Sequence, residues 1–378
     1  MLKYCKKCLY PDTKPLLIFD ENGMCDACKA PEKKDKVDWD SRRKDLATIL
    51  EKYRSKDDSR YDCIIPVSGG KDSHFQVHTI VNEFGLKPLL VNFHPRDLIP
   101  LGRKNIENIK NIGVDCIEFT PNPHIYKKME KFGLIELGDV NWPEHVGIFT
   151  VPFQVAVAYQ IPLIIWGENP QMEYGGPGGG MTMDKEWLEK HGGFWFDKIK
   201  PTIMTENGID INDLKAYNYP SDEDLKRIGV TGIFLGQYIK YDIDTILKTV
   251  EKLGFSRNSE TKEGTYTDWE NLDTKFTGMH DYFKWVKYGF GRATDHASLD
   301  IRAGKITREE GLKLVKEFEG KIPEKYMDDL LEDMEITRDE FYKIVDKFTN
   351  KELFKTDNNN ELIRDENGNI EKLFYDNV

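Results

Sequence analysis

Two groups of residues in this chain have side chains and spacings that point to chemistry. Ser68-Gly69-Gly70-Lys71-Asp72-Ser73 follows the β-branched run YDCIIPV (61–67) and precedes a helical pattern with Val77, Ile80, Val81 and Phe84 on one face. A strand turning into a helix through two glycines gathers free backbone N–H groups at the positive end of the helix dipole, where phosphate binds. The glycines permit close approach, Ser68 and Ser73 supply hydroxyls, Lys71 supplies charge, and Asp72 suits either Mg²⁺ or a helix cap. The run is too short for a conventional P-loop and has an acid where that motif needs a hydroxyl, so it is another class of phosphate loop. The second group is Cys5-x-x-Cys8 and Cys25-x-x-Cys28, separated by sixteen residues. That spacing fits two knuckles closing a tetrahedron around a structural Zn²⁺ with no open position.

Other residues are candidates by position. The loop WGENPQMEYGGPGGG (166–180) follows the strand-like PLIIWG, and its Glu168, Asn169 and Glu173 are suited to hold Mg²⁺ or to contact ammonia and amide groups. Its end, Gly175 to Gly180, reads as a lid or a plain linker. Farther on, HDYFKWVKYGFGRATDHASLDIR (280–302) mixes ionisable groups with aromatics. His280, Lys284 and Lys287 share one helical stripe, GFGR reads as a turn aiming Arg292 at an anion, and Arg292 and His296 lead the substrate candidates. Tyr282, Phe283 and Trp285 read as core, and no His-x₃-His spacing marks a metal there. Cys63 and Cys116 lie singly in predicted strands and read as small buried hydrophobes.

These residues need a scaffold. Short apolar runs (YDCIIPV, PLLVNFH, VDCIEFT, PLIIWG) alternate with helical stretches at 72–84, 103–112 and 149–160, which predicts an α/β fold: a parallel sheet with helices on both faces. Ligands bind such sheets at the carboxyl ends of strands, where both the glycine loop and the Glu168 loop fall. An amphipathic helix with Leu46, Ile49, Leu50 and Tyr53 precedes the sheet, with Asp40 or Ser41 as its cap. After the sheet the chain is mainly helical: Ile243, Ile246, Leu247 and Val250 form one stripe, Phe341, Ile344, Val345 and Phe348 another, and Thr307/Glu310 and Thr337/Glu340 have capping-box order. The last residues, with ENGN between apolar pairs, read as a hairpin or a loose tail. The expected organisation is a Cys₄ knuckle at 1–38, a helix and linker at 39–60, a loop-bearing sheet domain at 61–240 and a helical region at 241–378, with substrate contacts in 276–302.

Composition narrows the function classes. At 378 residues and 39% hydrophobic content the chain can bury a full core. No run is apolar enough for a membrane span or a secretory signal, so a cytoplasmic location without membrane contact is expected. The net charge is −12, with 15 basic against 12 acidic residues in 1–60 and 14 against 20 in 301–378. That balance disfavours nucleic acid as a partner, which would demand a concentrated basic surface.

SGGKDS resembles the PP-loop of ATP pyrophosphatases, which cleave ATP between the α and β phosphates and pass AMP to a substrate oxygen. Over a longer span, YCKKCLYPDTKP…FDENGMCDACK, the loop, IIWGENPQMEYGG and TGMHDYFKWVKYGFGRATDHASLDIRAGKITREEG together look like the N-acetyl sugar amidotransferases, from residue 3 to about 320. The resemblance implies a HUP-like sheet and an ATP- and Mg²⁺-dependent, AMP-forming carbon–nitrogen ligase. Such an enzyme turns an acetamido sugar, nucleotide-linked or nonulosonic (pseudaminic or legionaminic acid), into an acetamidino sugar for lipopolysaccharide or related surface glycans. On that reading Ser68, Gly69, Gly70, Lys71, Asp72 and Ser73 bind ATP, and Lys71, Asp72, Glu168 and Asn169 are catalytic. Glu173, His280, Lys284, Arg292 and His296 then contact the sugar. No Gly-x-Cys-x-Gly occurs and Leu2 follows Met1, so a built-in glutaminase is not expected. The resemblance implies a separate glutaminase with a cyclase-like barrel partner, docking on the zinc knob or the acidic C-terminal surface. A PP-loop tRNA sulfurtransferase is the rival enzyme, and a non-catalytic adenine-nucleotide-binding scaffold the rival without turnover.

Overall fold

The computed structural model describes residues 2–169, 173–176, 205–260 and 263–373, apart from the side chains of Glu32 and Lys33. Two small helices open the chain, α1 (Ala30–Asp35) and α2 (Trp39–Tyr53). The α2 cap is Asp38, which accepts from the Ser41 N–H, and not Asp40 or Ser41, so the helix starts two or three residues earlier than expected, at Trp39. The sheet domain follows as β1 (Cys63–Pro66), α3 (Lys71–His78), β2 (Pro88–Phe93), α4 (Pro100–Lys110), β3 (Asp115–Phe119), α5 (Pro123–Phe132), α6 (Trp142–Tyr159), β4 (Leu163–Trp166), α7 (Asp222–Ile228), β5 (Thr231–Phe234) and α8 (Ile243–Glu251). All pairings among the five strands are parallel, in the order β3-β2-β1-β4-β5.

The pleat explains the two-sided burial. Ile64, Leu89, Val91, Phe93 and Ile164 face α5 and α6 in one core, while Cys63, Ile65, Leu90, Leu163 and Ile165 face α2, α3, α4 and α8 in the other. The predicted faces hold: Leu46, Leu50, Val77 and Ile80 are fully inside, with Ile49, Tyr53, Val81 and Phe84 packed against them. The strand order reverses between β1 and β4, so the loops after these two strands flank the crevice of the sheet. β5 was not foreseen, because Thr-Gly-Ile-Phe is too short to show a period, and neither was α5.

Beyond the sheet lie α9 (Thr277–Tyr288), α10 (Arg292–Arg302), α11 (Arg308–Phe318), α12 (Met327–Met334) and α13 (Arg338–Phe348). Phe283, Trp285, Leu330, Phe341 and Val345 bury there in a separate core, each worth about 1.5–3 kcal/mol of transfer free energy. Thr307 and Thr337 close the expected capping boxes on α11 and α13. The tail is folded back as successive hairpin bridges, Phe354 to Lys372, Thr356 to Leu362 and Arg364 to Ile370. Its turns repeat one device: Asp357 and Asp365 each accept two backbone N–H groups, as Asp20 does before Cys25. Among the described residues no helix is long and apolar enough to cross a membrane.

Candidate active site at the sheet crevice

The glycine loop leaves β1 at the crevice and enters α3 through Gly70, whose extended backbone serves as the N-cap without a capping side chain. Gly69 has φ +92°, and a Cβ there would meet the Ile106 side chain at 3.0 Å and its backbone nitrogen at 3.2 Å, so the turn requires glycine. The Ser68 N–H donates to Ser73 Oγ at 3.1 Å and the Gly70 N–H approaches Ser68 Oγ at 3.4 Å, so both hydroxyls brace the turn. Asp72 does not cap α3; it pairs with Lys71.

Lys71 is buried at 6% exposure, its Nζ 2.7 Å from Asp72 Oδ2 and 2.6 Å from Glu270 Oε1. Burial pulls the ammonium pKa down, but Asp72 and Glu270 outweigh it and hold Lys71 above the ordinary lysine value. Glu270 is pushed up by burial and pulled further down by Lys71, His296 and Arg292, to about 2. The same ammonium sits 4.6 Å from the Trp269 ring centre, and the His296 ring lies 4.9 Å from that ring. Trp269 and Glu270 went unnoticed in the sequence, since they lie in an aperiodic polar loop 199 residues from Lys71.

The β4 loop reaches the same place. Gly167 packs so closely on α3 that a Cβ would lie 2.5 Å from Gln76 Nε2, and the Gly236 N–H donates to the Gly167 carbonyl at 3.1 Å. Held this way, Glu168 is pushed up to about 7, first by burial and then by Asp72, while Lys71 opposes the rise. Asp72 is likewise raised by burial against the pull of Lys71. A group of half-buried carboxylates already drawing in a cation fits Mg²⁺, which takes one or two carboxylates and completes its shell with phosphate and water. Asn169 is buried, and its carbonyl accepts from the Glu173 N–H at 3.2 Å. Glu173 faces away from this group: its carboxylate pairs with Lys34 and its carbonyl accepts from Arg302 at 2.7 Å. Gly176 donates its N–H to Asp26 Oδ2 at 2.8 Å, and the remainder of the glycine run, residues 177–180, lies outside the described residues.

The other substrate candidates line a polar tract between α9 and α10. Arg292 does not point at an open anion site: its Nε and terminal nitrogen lie 3.1 Å and 3.0 Å from the Asp281 carboxylate, which also accepts from Asn271 at 2.7 Å. The reason is local, since α9 presents Asp281 toward the first residue of α10. Lys284 meets Asp295 Oδ2 at 2.5 Å, and Asp295 Oδ1 accepts from Tyr10 of the N-terminal knuckle at 2.8 Å. Burial pushes Asp281 and Asp295 up, yet Arg292 and Lys284 respectively, with further cations, hold both below the usual range. His296 is buried, its Nδ1 2.7 Å from Thr265 Oγ1, and burial lowers its pKa to about 4. His280 turns the other way, to Asp139 at 2.8 Å, and Lys287 donates to the Leu137 carbonyl at 2.6 Å.

The four N-terminal cysteines converge and are fully buried. Sγ atoms lie 3.7 Å apart for Cys5 with Cys28 and for Cys8 with Cys25, and a tetrahedron with ~2.3 Å zinc–sulfur bonds has edges of about 3.8 Å. The donors therefore fit zinc. Backbone N–H groups of Lys7 and Cys25 point at Cys5 Sγ, as thiolate ligands require. The knuckle packs on the C-terminal helices: Arg308 reaches the Cys8 carbonyl at 3.2 Å, the Leu9 N–H meets Ser298 Oγ at 3.3 Å, and Tyr10 stacks edge-on to Phe290. Cys63 and Cys116 stand apart, and burial raises both thiols, Cys116 to about 11.

Comparison with known proteins adds the following. Residues 263–366 match the family model described as LPS biosynthesis protein WbpG-like, C-terminal domain. Among solved structures, NMN synthetase from Francisella tularensis is similar at 10% identity and a TM-score of 0.36, over 71% of this chain and 94% of that one. A predicted subunit of tRNA methyltransferase from Methanocaldococcus jannaschii is similar at 14% identity and a TM-score of 0.27, over 50% of this chain and 75% of that one. No match is found among curated proteins. The segment that brings Trp269 and Glu270 to Lys71, and that carries Asp281, Arg292 and Asp295, is thus similar to the C-terminal domain of WbpG-like LPS biosynthesis proteins.

Proposed function

We propose that this chain is an ATP-dependent, AMP-forming amidotransferase acting on N-acetyl sugars of bacterial surface glycans. The observation that carries this reading is the meeting of Lys71, on the glycine loop, with Glu270, in the segment that matches the WbpG-like C-terminal domain of LPS biosynthesis proteins, at 2.6 Å.

An acetamido group resists ammonia because its oxygen is a poor leaving group. In the proposed reaction the acetamido oxygen attacks the α-phosphorus of ATP, the bond to the bridging oxygen breaks, and pyrophosphate leaves into the loop from Ser68 to Ser73. Ammonia adds to the activated carbon, AMP departs carrying the former amide oxygen, and loss of a proton leaves the acetamidine. Lys71 exchanges its carboxylate partners for the charge growing on the α,β-bridging oxygen. Glu168, poised at about 7, suits the proton released as ammonia adds. When bound, Mg²⁺ supplies charge against the phosphates, and Asp72 and Glu270 are the residues that would hold it. Lys284 and Arg292, each neutralised by a carboxylate, make a wall suited to a hydroxyl-rich sugar more than to a bare anion.

Ammonia comes from outside the chain in this reading, from a separate glutaminase with a cyclase-like barrel partner. The raised thiols of buried Cys63 and half-buried Cys116, and the gathering of Cys5, Cys8, Cys25 and Cys28 into one cluster, support that reading. Incubation with ATP, Mg²⁺, ammonium and nucleotide-linked or nonulosonic N-acetyl sugars is expected to release pyrophosphate and an acetamidino product only when a sugar is present. Pyrophosphate independent of every sugar, or none, contradicts the proposal.

A further inference from the structure

The His280 side chain leaves the α9–α10 tract and joins residues that no sequence spacing connected to it. Its Nδ1 is 2.8 Å from Asp139 Oδ1, and the second oxygen of the same carboxylate is 4.0 Å from Nδ1 of His145. The two imidazole rings are 4.7 Å apart at 60°, and one ligand atom from each of the three residues lies within 4.8 Å of the others. We propose that Asp139, His145 and His280 form a second metal site, separate from the cysteine cluster, for a divalent transition-metal ion of the zinc class.

Two neutral imidazoles and one carboxylate are the donor set that such ions take when a coordination position stays open. Donors about 2.0–2.1 Å from a tetrahedral ion are about 3.3 Å apart, and the observed 2.8 Å and 4.0 Å bracket that value. The 4.0 Å gap is beyond hydrogen-bond reach and within the span of one shared ion. Binding would replace the Asp139–His280 hydrogen bond with bonds to the ion, the proton of that hydrogen bond passing to solvent.

The scaffold fixes all three donors. Asp139 lies in a turn whose backbone is so tight on Gly133 that a Cβ at 133 would be 2.3 Å from the Asp139 carbonyl, and the Asp139 N–H bonds the Gly133 carbonyl at 2.9 Å. The Asn141 N–H donates to Asp139 Oδ1 at 3.1 Å, orienting the carboxylate. His145 is set in the first turns of α6 and His280 in α9, so two helices and a pinned turn carry the ligands. Side-chain exposures of 10% for Asp139, 16% for His280 and 26% for His145 keep the cluster in contact with solvent. Arg292 acts electrostatically on both His145 and Glu270, so this site ends the same charged tract that begins at Lys71. The inference does not depend on the reaction proposed above.

Cobalt titration of the metal-stripped full chain tests it. Cobalt in the cysteine cluster gives intense thiolate charge-transfer absorption, whereas an imidazole–carboxylate site gives only weak visible bands. Wild type is expected to bind a second equivalent that adds weak bands alone. His145→Gln and His280→Gln are each expected to weaken that second equivalent at least tenfold, and Asp139→Asn to weaken it too, with the thiolate band intact as proof of folding. Saturation of wild type at a single equivalent, or a second equivalent unchanged in both histidine variants, overturns the proposal.

Discussion

At the scale of single residues, burial acts on Lys71 and Glu168 with opposite results, leaving the lysine charged and favouring the protonated carboxyl. Lys71 stays charged in a buried position because Asp72 and Glu270 outweigh its desolvation. Its partners' side chains are 29% and 23% exposed, so water can take over when the lysine is removed and the fold should survive Lys71→Ala. The expected cost falls on catalysis: a loss of ~10²–10³-fold in sugar-dependent pyrophosphate release, with the circular dichroism spectrum retained. An unchanged rate would mean that the loop does not hold the reacting phosphates. Glu168 yields a test of opposite kind. Its pKa is raised to about 7 in the folded chain against an ordinary 4.5, so the folded state keeps a proton that the unfolded state releases. The stabilisation linked to that proton is complete below the unfolded value and is lost as pH rises through about 7. Glu168→Gln removes the dependence. Relative to wild type, the variant should therefore gain stability from pH 5 to pH 8, by at most about 3 kcal/mol in urea unfolding without metal or nucleotide. A flat difference across that range would show Glu168 to be an ordinary surface acid.

At the scale of elements, the sheet crevice and the cysteine knuckle each position part of the site. The knuckle is joined to α10 and α11 by Tyr10 to Asp295, Leu9 to Ser298 and Arg308 to the Cys8 carbonyl. Cys25→Ser should then lower the thermal midpoint and zinc content and raise KM for the sugar more than KM for ATP, since the glycine loop is braced by α4 and its own serines. Equal effects on both constants would mean a global loss of structure. Much of this was legible in local pattern: the glycine loop, the PLIIWG strand and its acidic loop, the paired cysteines and both capping boxes are written within a few residues of themselves. What escaped was either too short or too distant. β5 spans Thr231–Phe234, less than the period needed to recognise a strand. Glu270 and Trp269 come to Lys71 only through tertiary packing. Arg292 was legible as a cation, but its carboxylate partner Asp281 lies on the preceding helix, where sequence showed only a polar position.

At the scale of the whole molecule, a parallel sheet with a glycine turn meets a helical region that matches the WbpG-like C-terminal model through the Lys71–Glu270 ion pair, and Arg292, itself paired with Asp281, acts electrostatically on Glu270. On the proposed reading, a leaving pyrophosphate and an accepting sugar would meet on opposite sides of Lys71, and an amide oxygen attacking phosphorus is the chemistry that would use this division. The most direct measurement follows that oxygen. An N-acetyl sugar carrying heavy-isotope oxygen in its acetamido group, turned over with ATP, Mg²⁺ and ammonium, is predicted to deliver the label to AMP and none to pyrophosphate. Label found in water or retained by the sugar while ATP is consumed would contradict adenylation of the amide, and with it the central claim.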